Sequence, residues 1–117
     1  ASFKGLSGKR DVQIFSEAMD AQDYEQLKKL DPYLAGYNHA ITQLKKVLVP
    51  PQLAPLHLEY LNLMIAQKDA VLKLRNGETD PVNAAVGMQQ YSTIQEHLSA
   101  LFQKLRDAYQ KVGAQLP

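Results

Sequence analysis

An all-α fold, an antiparallel bundle of four helices forming one domain, is what the sequence predicts, and three observations carry the prediction. Apolar residues recur at steps of three and four over most of the chain from Asp11 onward. The internal prolines lie between these stretches or at their first turns, where a missing amide proton costs no helical bond. A chain of 117 residues and 13.1 kDa has room for one core. The composition, 45% hydrophobic and 21% charged with mean hydropathy −0.31, is that of a globular protein and not of a disordered or membrane-spanning one. No apolar run reaches the roughly 18 residues that a spanning helix needs.

Residues 1–10, ASFKGLSGKR, hold two glycines and two serines without periodicity and read as a flexible tether, leaving 11–117 as the helical domain. The chain begins Ala-Ser-Phe without methionine, which suggests a processed product. A first helix spans 11–30, with Asp11 as N-cap, Val12, Phe15 and Met19 on one face, and Tyr24 and Leu27 following after a phase shift. Glu17, Asp20 and Asp23 form its solvent side.

Asp31-Pro32 is a cap followed by a first-turn proline and starts a second helix over 32–48. Yet Leu27, Leu30, Leu34, Tyr37, Ile41, Leu44 and Leu48 keep their spacing through it, so the first two helices are either separate or one kinked helix. A break or a sharp kink is the favoured outcome. Val49-Pro50-Pro51 ends the segment, because a residue before proline is pushed out of the helical region.

The third helix runs over 53–75, its start fixed near Gln52–Ala54 by the place Pro55 must take in the first turn. It is apolar nearly all round, which predicts the most enclosed helix of the four. Asn76-Gly77 predicts a left-handed stop, and Thr79-Asp80-Pro81 predicts the cap of a fourth helix over 81–112. That helix carries the most regular seam, Tyr91, Ile94, Leu98, Leu101, Leu105, Ala108 and Val112, suited to shallow antiparallel packing. It would span roughly 48 Å unless Gly87 bends or interrupts it. The same seam could serve a dimer as well as a monomer.

Several function classes are excluded by what the sequence lacks. The formal net charge is +1 and the basic residues are scattered singly or in pairs, such as Lys45-Lys46, so nucleic acid is not an expected partner. The absence of cysteine removes disulfides, thiolate catalysis and cysteine zinc sites. No Glu-x-x-His pair supports a di-iron bundle, and His39, His57 and His97 stand on three different helices without a second histidine at helical spacing. The serines lack a strand-to-helix elbow, and Asn76–Asp80 lacks the spacing of a calcium loop. The sequence therefore reads as noncatalytic, with no metal and no cofactor.

His57 stands apart because it falls in the first turns of the most apolar helix. A buried imidazole needs a partner, and the carbonyls of the Val49-Pro50-Pro51 connection are nearby, so His57, Pro50 and Pro51 are read as a structural latch. The six tyrosines are expected at the core or its boundary with hydroxyls reaching water. Tyr33, Tyr37, Tyr60, Met64 and Phe102 are the residues expected to contact a partner or ligand if a groove exists.

The run Val49-Pro50-Pro51, Leu53-Ala54, His57-Leu58 and Leu61-Asn62, followed by Asp80-Pro81 and Tyr91, resembles helical extracytoplasmic domains of unassigned function in bacterial membrane-anchored or surface proteins, including those of candidate-phylum bacteria. The resemblance covers residues 33–105. It implies a domain displayed outside the cytoplasmic membrane, attached only through an N-terminal anchor preceding residue 1. It implies no activity and no catalytic residue. The function expected is thus that of an interaction or scaffold module with a protein partner, the alternatives being a bundle that binds a small apolar ligand and, for its location, the cytoplasm.

Overall fold

The computed structural model describes residues 11–115, with side chains as far as Lys111, and shows an all-α bundle. Its helices are α1 (Asp11–Asp20), α2 (Asp31–Lys46), α3 (Ala54–Arg75) and α4 (Pro81–Gln115), with 3₁₀ segments at Tyr24–Leu30 and Pro51–Leu53 and no strand among the described residues. The tether expected over 1–10 lies outside the described residues.

The predicted first helix over 11–30 is two pieces. The Asp23 amide donates to the Ala18 carbonyl at 3.0 Å and the Gln22 amide to the Met19 carbonyl at 3.2 Å, closing α1 with Gln22 in the left-handed region at φ 53°. The chain reverses there, and the following 3₁₀ segment delivers Leu27 and Leu30 into the core. No break occurs at Asp31-Pro32: Leu30 and Asp31 both keep helical torsions, and only the helix type changes. Asp31 caps nothing with its side chain. Its Oδ1 accepts from Arg75 Nε at 2.7 Å, tying the start of α2 to the end of α3.

α2 stops at Lys46, two residues before the predicted end, with Val47 already extended. α3 returns antiparallel beside α2, and α4 returns antiparallel beside α3 after a five-residue turn. The Asp80 carboxylate accepts from the Asn83 amide at 3.0 Å, the cap that Asp80-Pro81 foretold.

Gly77 and Gly87 both stand where a side chain would collide with a neighbouring element. Gly77 is not left-handed; a Cβ there would lie 3.0 Å from Phe15 Cε1 and 3.1 Å from the Leu74 carbonyl oxygen, so the position is small because α1 crosses the turn. At Gly87, α4 is unbroken, and a Cβ would lie 2.8 Å from the Ala70 carbonyl oxygen. Gly87 lets α4 approach α3, with Ala70 and Ala84 fully buried nearby.

The core centres on Leu27, Leu30, Val71, Leu74 and Leu101. α3 is not enclosed all round: α2 and α4 flank it, and one line of its surface stays open, with Leu58, Ile65 and Leu72 between 43% and 56% exposed. No helix among the described residues is long and apolar enough to cross a membrane.

Candidate functional site

One carboxylate connects the helices. Asp11, the first residue of α1, is only 2% exposed. Its Oδ2 accepts a short hydrogen bond from the Tyr37 hydroxyl on α2, and its Oδ1 accepts from the Tyr91 hydroxyl on α4 at 2.5 Å. Gln67 on α3 completes the group, donating from Nε2 to the Tyr37 oxygen at 3.2 Å. Asp11 was predicted as an N-cap. Its only backbone donor among the described residues is its neighbour, the Val12 amide at 3.1 Å, because the side chain points into the bundle and not back over the first turn.

The electrostatics follow from this packing. Burial pushes the Tyr37 phenol well above its ordinary range, the negative charge and hydrogen bond of Asp11 push it further, and the bond from Gln67 works the other way. Tyr37 is therefore held as a donor, and a hydroxyl so fixed is no nucleophile. Gln67 Oε1 is buried without a hydrogen-bond partner among the described residues. The arrangement is a polar tie with one member on each helix, satisfied at the Asp11 carboxylate and both hydroxyls and left open at the Gln67 side-chain carbonyl oxygen.

Residue types alone did not reveal this tie. Tyr37 and Tyr91 were expected to send their hydroxyls to water. The available signal was Gln67, a lone amide on the face of α3 that also carries Met64, Ala70, Val71 and Leu74, all buried.

His57 meets a carbonyl, but not one from the proline turn. Its Nε2 lies 2.8 Å from the Leu44 carbonyl oxygen. A carbonyl only accepts, so Nε2 carries the proton. Leu44 is among the last four residues of α2, whose carbonyls lack helical partners. The carbonyls of Pro50 and Pro51 are taken by the amides of Leu53 (2.9 Å) and Ala54. His57 thus bridges α3 to the end of α2, spanning the turn without bonding to Pro50 or Pro51.

The five residues expected to contact a partner or ligand are dispersed. Tyr33, Tyr37 and Met64 are buried in the core. Tyr60 packs edge-on against Phe102, with ring centroids 5.7 Å apart and an interplanar angle of 62°, and Phe102 is exposed. Burial raises the Tyr60 phenol above its ordinary range. Tyr60 also lines a cleft of about 220 Å³ with Val47, Leu53, His57, Leu105 and Tyr109.

A groove of about 470 Å³ lies between α3 and α4, with Leu63, Ala66, Val86 and Ile94 set among Asp69, Gln89, Gln90, Thr93 and His97. Lys73 braces it, its Nζ lying 3.1 Å from Asp69 Oδ2 and 2.7 Å from Gln90 Oε1. No group of three metal-ligating side chains occurs among the described residues. No family model matches the chain, and no curated protein or solved structure matches it.

Proposed function

We propose that this chain is a noncatalytic interaction module whose α3/α4 face receives a helix of a protein partner, displayed outside the cytoplasmic membrane. The observation that carries the reading is the open groove of about 470 Å³ between the two helices, where Leu63, Ala66, Val86 and Ile94 supply an apolar floor among polar side chains that include Gln89, Gln90 and Thr93. On α3, Leu58, Ile65 and Leu72 recur every seven residues and are exposed, and on α4 Val82 and the groove-lining Val86 are exposed as well. Exposed apolar side chains at heptad spacing, and a groove with an apolar floor, are each what an amphipathic helix packs against. The Asp11 tie supports the same reading, since it holds the helices in one arrangement and so preforms the face. Placement outside the cytoplasm rests on the resemblance of residues 33–105.

Photo-crosslinking in the cells of origin tests the proposal. A photoreactive residue at Ile65 or Gln89 is expected to capture one protein, and Val86→Asp to abolish capture. Equal capture from Lys29, on the 3₁₀ segment before α2, would overturn the reading.

A second reading, a small apolar ligand, is favoured by the cleft beneath Tyr60 and Tyr109. A cavity of about 150 Å³ already accepts benzene. Raised thermal stability with phenol, removed by Leu53→Trp, would support it.

A further inference from the structure

At the end of the molecule where α2 gives way to α3, the fold assembles a feature that the sequence disperses. Lys45 and Lys46 close α2, and Val47, Leu48 and Val49 follow outside any helix. Leu48 is 97% exposed and Val47 is also exposed. Pro50 and Pro51 bound this tip with fixed torsions, and their carbonyls are bonded to Leu53 and Ala54, so the tip is held in shape. The late turns of α4 arrive at the same place: Tyr109 and Leu105 share a cleft with Val47 and Val49, and exposed Phe102 lies on Tyr60 of that cleft. Phe102, Arg106 and Tyr109 follow one another at steps of four and three along one helical face.

The charges sort the same way. Over residues 43–60 and 99–111 there are five basic side chains, Lys45, Lys46, Lys104, Arg106 and Lys111, against Glu59 and Asp107. Over the rest of residues 11–111 there are ten acidic side chains against five basic. Residues 1–10, outside the described part, add Lys4, Lys9 and Arg10 to reach the net charge of +1, and the described part itself has a basic end and an acidic remainder.

We infer that the Lys45–Pro51 tip and the adjoining turns of α4 dock on an anionic lipid surface, with the long helices pointing away from it. Complementary charge identifies the partner: the basic end is drawn to an anionic headgroup layer while the acidic remainder is repelled from it. The apolar parts fit the same surface. Leu48 and Val47 form a small aliphatic wedge, tyrosine and phenylalanine suit the headgroup boundary, and the lysine stems can lie along the wedge with their ammonium groups in the headgroups. This attachment is peripheral and separate from the α3/α4 groove, whose occupancy it does not require.

The test is flotation of the full chain with vesicles of phosphatidylcholine alone and of three parts phosphatidylcholine to one part phosphatidylglycerol. Binding is expected to the mixed vesicles, to fall with added salt, and to be weak on phosphatidylcholine alone. Lys45→Gln and Lys46→Gln should each weaken binding about five-fold, the worth of one basic residue at such a surface. Leu48→Asp should weaken it at least ten-fold while leaving the helical circular dichroism unchanged, because the side chain touches almost nothing in the fold. Lys28→Gln and Lys29→Gln, away from the tip, should leave binding as it was. Failure to float with the mixed vesicles would overturn the inference, as would equal loss from the Lys28 or Lys29 variants. It would also fall if Leu48→Asp merely dissolved a dimer in a chain that does not bind vesicles, since the tip would then belong to a second copy.

Discussion

The Tyr91 hydroxyl reaches the Asp11 carboxylate at 2.5 Å across eighty residues of chain. Because Tyr37 donates to the other oxygen of the same carboxylate, the first residue of α1 fixes α2 and α4 relative to one another. Dispersion and apolar burial would let these helices slide by fractions of a turn with modest loss. Two directional bonds to one buried carboxylate tolerate less sliding, because a shift of α2 or α4 must lengthen or bend one of them.

Asp11→Ala should therefore be among the most damaging single changes, since it removes the acceptor that two buried hydroxyls share. A loss of about 3 kcal/mol or more in urea unfolding is expected, and about 1–3 kcal/mol for Tyr91→Phe, which leaves the carboxylate with one donor fewer. Tyr37→Phe combined with Tyr91→Phe should depart from additivity, because both act on one acceptor. A loss under half a kcal/mol for Asp11→Ala would show that the tie contributes little.

Alkaline pH supplies a separate check on the same residues. The folded state holds Tyr37 above its ordinary value of 10.0, chiefly through burial and then through Asp11, and burial also raises Tyr60. A raised group binds its proton more tightly when folded, so its contribution is fully present below about pH 10 and is lost as pH rises beyond it. Unfolding free energy should fall above pH 10 by about 1.4 kcal/mol per pH unit for each such tyrosine. Tyr37→Phe should flatten that slope, and a slope unchanged by the substitution would contradict the assignment.

The bundle itself was legible because helix signals are local. Val49-Pro50-Pro51, Asp80-Pro81 and the seam from Tyr91 to Leu105 each fix an element with no knowledge of the rest. The turn at Gln22 was half legible: the phase shift between Met19 and Tyr24 marked it, but glutamine carries no left-handed signature. The Asp11 tie and the basic tip were not legible, since each joins residues distant in sequence, and a pattern read along the chain cannot say which faces meet. The role of Gly87 was hidden for the same reason: a glycine within a helix marks only a weak point until the carbonyl of Ala70 is seen beside it.

Gln22 offers a stabilising substitution. A non-glycine residue in the left-handed region costs roughly 1–2 kcal/mol, part of which glycine recovers before its own greater freedom in the unfolded chain is counted. Gln22→Gly is expected to raise unfolding free energy by about 0.5–1 kcal/mol, despite the usual cost of adding glycine. Destabilisation would mean that the Gln22 side chain makes contacts that outweigh its backbone strain.

Gly87→Ala should do the reverse. Alanine is about 1 kcal/mol better than glycine in a helix interior, so an exposed site would gain stability. Here the new Cβ would stand 2.8 Å from a backbone oxygen on α3 and 2.9 Å from Lys73 Cβ, atoms that cannot swing aside. The two helices must part, and a net loss of about 1–3 kcal/mol is expected, larger for Gly87→Val. A more stable alanine variant would show that α4 does not pass so close to Ala70.

His57 holds the proline turn closed from outside it. Its Nε2 bond to the Leu44 carbonyl serves an acceptor that α2 itself leaves open, and it joins the start of α3 to the end of α2 around a connection whose own carbonyls are already bonded. Leucine at this position would keep apolar contact with the walls of the cleft while leaving that carbonyl without its donor. The cost should be about 1 kcal/mol, or a melting temperature lower by roughly 4 °C for a chain of this size. His57→Gln, which can still donate from its amide, should recover part of the loss. A leucine variant that melts at the same temperature or higher would remove the latch and leave the histidine as one wall of an apolar cleft.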